Sequence, residues 1–174
     1  MTQTNNISGT SSLNEILNEI DLGPGSGSVQ FLFAKLQLAQ AQICKNSATQ
    51  YLKSISEIQE DQAKVAEMIE LARKCKEEAA SKDYVAMPDE MKAFFDEKKL
   101  TPCPTGSKGT SYNKDAWTYN LESLTNYQET LSNKTQTQMV FLQDFISQYN
   151  SYLQGANSAI QEASQVLQSI ATGR

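Results

Sequence analysis

No histidine occurs anywhere in the 174 residues. That absence removes serine and cysteine triads, histidine-ligated zinc and the ordinary proton shuttle near neutral pH. Cysteine is scarce as well. Cys44, Cys75 and Cys103 are too few and too scattered for a disulfide scaffold or an all-cysteine zinc site. Cys44 and Cys75 read as small apolar residues on helices and Cys103 as a loop residue, with a Cys75–Cys103 bridge as the alternative. There is no run of eighteen apolar residues, so no membrane span is expected. No basic residue precedes Lys35, and the opening MTQTNNISGTSS has neither the basic nor the apolar region of a Sec signal. That opening reads as a polar tail or as an unfolded signal of the type III export kind. A net charge of -5 leaves no footprint for nucleic acid or for an anionic membrane surface. Gly106 and Gly109 flank Lys108, but the G-x-x-x-x-G-K-[ST] spacing and a preceding strand are missing, which discards a phosphate loop. No cofactor or metal is expected, and no enzyme. The best nucleophile, Cys103, has no base to activate it.

What the chain does have is heptads. Met139, Ile146, Leu153, Ile160 and Leu167 fall seven apart, and Leu142, Tyr149, Ala156, Ala163 and Ile170 repeat the interval three residues later. Phe145, Tyr152, Ala159 and Val166 widen the stripe on the adjoining position. A strict seven-residue repeat keeps its apolar seam against a partner only in a left-handed supercoil, so the pattern predicts a long helix lying on another long helix. The 39% apolar composition is slightly low for a globular domain and suits a helical protein with a thin core.

The partner helix is expected at 29–82, where neither proline nor glycine interrupts the sequence. Leu32, Leu36, Ala39 and Ile43 form its first packing face, and Leu52, Ile55, Ile58, Val65, Ile69 and Ala72 resume the stripe. The segment VQFLFAKLQLAQAQI is apolar on more than one face and carries only Lys35. Beyond it the helix is laced with charge, with pairs such as Glu60/Lys64 and Glu70/Lys74 at helical spacing, a solvated surface rather than a metal or acid–base site.

Four segments follow. Residues 1–28 form an export or tail segment with a short amphipathic helix on Leu13, Ile16, Leu17 and Ile20, capped near Ser12 or Asn14 and ended by the flexible composition GPGSGS. Residues 29–82 form the first long helix. Residues 83–114 form a helix-and-loop insertion. Its helix starts at Met87-Pro88-Asp89-Glu90 and docks through Met91, Phe94, Phe95 and Leu100, and a turn-rich loop spans 101–110. Residues 115–174 form the coiled-coil helix, with Trp117 and Tyr119 anchoring it to the insertion. The fold class is therefore all-α, two long antiparallel helices in a coiled-coil hairpin. Gln128, Thr135 and Gln138 occupy core positions of that seam, where polar residues act as register or partner-choice devices, or mark a loose stretch. From Thr135 to Arg174 only Asp144, Glu162 and Arg174 are charged, a face suited to lateral packing on other subunits.

In Val29–Ile43, in Met87-Pro88-Asp89-Glu90-Met91-Lys92-Ala93-Phe94-Phe95 and in Lys134–Ile170, the chain resembles the EspA/SseB family of type III secretion filament proteins. It departs from that pattern in a short 101–112 loop with Cys103 between two prolines. The resemblance implies a secreted structural subunit, cytoplasmic with a secretion chaperone before export and on the bacterial surface afterwards. It implies a homo-oligomeric helical filament extending the needle, with needle and translocator proteins as further partners. Self-assembly would fall to the C-terminal seam (Met139, Leu142, Phe145, Ile146, Tyr149, Leu153, Ala156, Ile160, Ala163, Leu167, Ile170) and to Leu32, Leu36, Ala39 and Ile43. A needle-tip protein and a cytosolic helical adaptor or chaperone are the alternatives.

Overall fold

The computed structural model describes residues 12–22 and 28–173. The N-terminal segment read from the sequence as a tail or export signal, and most of the glycine-rich linker, therefore lie outside the described residues. The elements run α1 (Leu13–Glu19), α2 (Val29–Lys82), β1 (Val85–Ala86), α3 (Asp89–Lys98), β2 (Ser107–Lys108), β3 (Ser111–Tyr112) and α4 (Lys114–Ala171). As the periodicity predicts, the protein is all-α in character, and α2 and α4 pack on each other as a helical hairpin. The chain divides into two compact units, Ile55–Thr137 and the pair of segments Met1–Ser54 and Gln138–Arg174.

In the unit Ile55–Thr137, α2 and α4 gather one core with the inserted elements. Ile58, Val65, Ile69 and Ala72 of α2 join Met91, Phe94 and Phe95 of α3 and Trp117, Leu124 and Leu131 of α4. Trp117 is fully enclosed, packs edge-on against Tyr112 with ring centroids 5.7 Å apart, and donates its indole N–H to the Val85 carbonyl at 3.3 Å. Tyr119 does not share that anchoring. It stands exposed, because two residues along a helix turn a side chain to the opposite face.

Three hydrogen-bonding devices hold the insertion. The Asn120 side-chain oxygen, wholly buried, accepts the Cys103 backbone N–H at 2.7 Å. The Lys98 ammonium bridges Asp61 of α2 at 2.7 Å and Glu97 at 2.9 Å. The hydrogen bond to Asp61, reinforced by that to Glu97, outweighs partial burial and holds Lys98 well above the ordinary lysine range. Asn113 caps α4, its side-chain oxygen accepting from Ala116 N–H at 2.9 Å.

The helix α3 starts one residue later than its sequence suggests, with Pro88 at the cap and Asp89 and Glu90 in the first turn. It ends at Lys99 in the left-handed region (φ 54°), where Leu100 N–H reaches back to the Phe95 carbonyl at 2.8 Å, a Schellman-type closure without its usual glycine. The turn-rich loop is more ordered than expected. It contains β2, which joins β3 just after the loop and β1 ahead of α3 in a three-stranded antiparallel sheet of order β1-β3-β2, with Tyr112 opposite both Val85 and Ser107. Gly109, at φ 63°, opens the two-residue β2–β3 turn in the manner of a type II′ hairpin. Strands of two residues are too short to leave an alternation in the sequence.

Candidate self-association surface

Within Met1–Ser54 and Gln138–Arg174, the seam between α2 and α4 follows a strict three-four interval. On α2 it runs through Ala34, Gln37, Ala41, Cys44, Ala48 and Tyr51, each buried or half-buried. On α4 it runs through Gln138, Leu142, Phe145, Tyr149, Tyr152, Ala156, Ala159 and Ala163. The order of contacts is antiparallel. Ser54 meets Gln138, Tyr51 stacks on Phe141 and Phe145 with centroids 5.7 and 5.6 Å apart, Cys44 faces Gln148, and Gln37 faces Gly155.

This places the sequence-predicted residues as follows. Leu142, Ala156 and Ala163 are buried in the seam, and Phe145 and Tyr149 are half-buried beside them. The other heptad column has only Leu153 and Ile160 half-buried. Met139, Ile146 and Leu167 stand exposed, and so does Ile170 at the end of the first column. The column next to it, Phe145–Tyr152–Ala159, is the one turned to α2. On α2, Ala39 is buried and Ile43 half-buried, while Leu32 and Leu36 are exposed. The expected Leu32–Leu36 face is therefore displaced by the line Ala34–Ala41–Ala48. Small side chains on both helices (Gly155, Ala156 and Ala159 opposite) let the backbones approach closely, and leucines at those positions would hold them apart. Leu52, expected in the stripe, is exposed as well.

The result is a large apolar remainder. Among the described residues every exposed large apolar side chain except Tyr119 lies in this unit. Val29 (79% exposed), Phe33, Val140 (64%), Phe141 and Val166 join Leu32, Leu36, Met139, Ile146, Leu167 and Ile170. The heptad reading missed Val140 and Phe141 because they lie off both predicted columns. The apolar character of VQFLFAKLQLAQAQI on more than one face was the visible signal for Val29 and Phe33. Between Gln138 and Gly173 only Asp144 and Glu162 carry charge, so little on α4 opposes close packing. Monomeric soluble proteins rarely expose large contiguous apolar patches, so a concentration of exposed apolar side chains in one unit marks a candidate interaction surface.

The seam also holds a polar layer. Gln138 donates to the Ser54 hydroxyl at 2.9 Å, Ser47 is buried nearby in sequence, and the side-chain oxygens of Gln50 and Gln138 are buried without a partner among the described residues. Thr135 and Gln128 are half-buried in the other unit, where Gln62 donates to Ser132 at 3.4 Å.

All three cysteines are free and buried, so the Cys75–Cys103 bridge is not formed. Burial first, and Asp144 second, push the Cys44 thiol up, and burial and Glu78 do the same for Cys75, which keeps both unreactive near neutral pH. Among the described residues no cluster of three histidine, cysteine, aspartate or glutamate side chains is placed to hold a metal. None of the described helices is long and apolar enough to cross a membrane. Comparison of the chain with protein-family models, with curated proteins and with solved structures gives no match.

Proposed function

We propose that this protein is a secreted structural subunit that assembles with copies of itself, through the apolar faces of its α2/α4 hairpin, into a hollow filament extending a type III secretion needle. The observation that carries the reading is the concentration of exposed large apolar side chains in the unit formed by Met1–Ser54 and Gln138–Arg174. A surface of that kind, poor in charge and built on rigid helices, is what lateral contacts between identical helical subunits require. The resemblance in Val29–Ile43, 87–95 and Lys134–Ile170 extends the reading to the type III pathway. There the filament conducts effector and translocator proteins, and a cytosolic chaperone covers the apolar face before export. The protein does no chemistry of its own in this account.

Negative-stain electron microscopy of the purified chain, with concentration raised stepwise, tests it. Hollow filaments or a regular polymer support the reading. A monomer or small discrete oligomer that stays unchanged at high concentration overturns it in favour of a tip protein or a cytosolic adaptor, which would use the same face for a single partner. Deleting residues 1–12 separates these further, since an export substrate then stays in the cell and an adaptor keeps its partner.

A further inference from the structure

The column Met139–Ile146–Leu153–Ile160–Leu167 is the apolar line that α4 does not turn to α2. Met139, Ile146 and Leu167 are exposed along it, while Leu153 and Ile160 are half-buried. The element beside Leu153 is α1. Its residues Ile16, Glu19 and Ile20 share a groove of about 360 Å³ with Leu38 and Ala41 of α2 and Tyr149 and Leu153 of α4. Ile16 is the one residue of α1 that is fully buried.

The construction of α1 is self-contained. Ser12 and Glu15 form a complete capping box, with Ser12 N–H to the Glu15 carboxylate at 2.7 Å and Glu15 N–H to the Ser12 hydroxyl at 3.3 Å. Seven residues with one buried anchor make a weak contact, because ordering each residue opposes docking while only Ile16 gains full burial. A helix of a second copy laid along the whole column would cover Met139, Ile146, Leu153, Ile160 and Leu167 together. It would therefore outcompete α1 for the stretch they share.

We infer that α1 is an intramolecular cap on the self-association surface: it occupies the middle of the α4 column in the free chain and is displaced by a second copy of the protein. This rests on the self-assembly reading above and adds a control element to it. The free chain is held below its assembly threshold by a segment of its own, and the threshold is set by how firmly Ile16 sits between α2 and α4. A cap docked in about nine molecules of ten lowers the apparent affinity of the surface about tenfold.

The test is sedimentation velocity over a concentration series on the full chain, on Ile16→Asp, and on Ile16→Asp combined with Leu153→Asp, with circular dichroism confirming that each keeps its helix content. The cap predicts that Ile16→Asp assembles at roughly one tenth of the full chain's concentration into the same particles, and that adding Leu153→Asp reverses the gain. Weakening the capping box with Ser12→Ala shifts the threshold in the same direction by a smaller factor. An unchanged or raised threshold in Ile16→Asp, while the full chain still assembles, overturns the cap alone. So does a lowered threshold that Leu153→Asp fails to reverse, which marks indiscriminate aggregation. If no variant and no full chain assembles at any concentration, the self-assembly reading falls, and the cap with it.

Discussion

The Gln138 amide donates to the Ser54 hydroxyl at 2.9 Å, tying α4 to α2 inside an apolar seam, while the Gln138 side-chain oxygen is buried with no partner among the described residues. Of the two roles the sequence left open for this polar position, a specific cross-helix bond favours a register device over a loose stretch. An orphaned buried acceptor costs about 1–3 kcal/mol, more than a neutral hydrogen bond returns. Gln138→Leu is therefore expected to raise stability by roughly 1 kcal/mol. Urea unfolding followed by circular dichroism, at a concentration below assembly, gives the sign. A loss would mean that the Ser54 bond outweighs the unpaired oxygen.

The start of α4 depends on a glycine in the loop before it. Gly106 has φ 68°, and a Cβ there would lie 2.7 Å from Asn113 Oδ1, the atom that caps the helix. Gly106→Ala combines left-handed strain with a displaced cap, for a loss of about 2–3 kcal/mol. The chain has a single tryptophan, Trp117, buried four residues beyond the cap, so its fluorescence reports unfolding of this unit directly. A Gly106→Ala midpoint equal to that of the parent would contradict the clash.

Lys98 lies 14% exposed between Asp61 and Glu97. Removing it leaves a partly sheltered carboxylate without its partner, so Lys98→Met is expected to cost roughly 1–2 kcal/mol, between the surface and buried limits. The pH dependence has a definite sign. The folded-state pKa of Lys98 is raised, so its contribution is complete below the free lysine value of about 10.4 and fades as pH climbs from there toward the folded value. The difference between parent and Lys98→Met should be the same at pH 7 and pH 9 and smaller at pH 11. A difference that grew with alkalinity would be incompatible with the pairing.

Two backbone substitutions should stabilise. Lys99 closes α3 at φ 54°, a conformation glycine adopts without penalty, so Lys99→Gly is expected to gain up to about 1 kcal/mol. Gly155 sits inside α4, where an added Cβ would meet the flexible end of Gln37 at 3.0 Å. Gln37 can swing aside, and Gly155→Ala should gain up to about 1 kcal/mol from helix propensity. Thermal midpoints of the two variants test both. A loss in Gly155→Ala would show that the helices are too close there for even one carbon.

The long helices are legible because their signals are long: dozens of residues without proline or glycine in α2, and heptads sustained from Met139 to Ile170 in α4. The side of α4 that turns to α2 was only half legible. The Leu142–Ile170 column reads as core and is buried or half-buried only as far as Ala163, while Met139–Leu167 outweighs Phe145–Tyr152–Ala159 in hydrophobicity and reads as the inner column. Close approach of two alanine-lined helices reversed that preference, and bulk alone does not encode it. The same blindness put Leu32 and Leu36 inward instead of Ala34 and Ala41. The sheet around Tyr112 is not legible, because its strands are only two residues long and the β1–β3 pairing joins residues on either side of α3. The cap of α1 reads from the sequence only as Ser12 or Asn14, and the structure settles it on Ser12, whereas the position of α1 beside Leu153 is tertiary.

The central claim is that the apolar face left open by the α2/α4 seam joins copies of this chain. The most direct measurement is sedimentation velocity of the full chain beside Ile146→Ser/Leu167→Ser, two exposed positions outside the intramolecular seam, at equal concentrations. The account predicts large, concentration-dependent species in the full chain and a monomer of unchanged helix content in the double variant. Identical sedimentation of the two, whether both assemble or neither does, would contradict it.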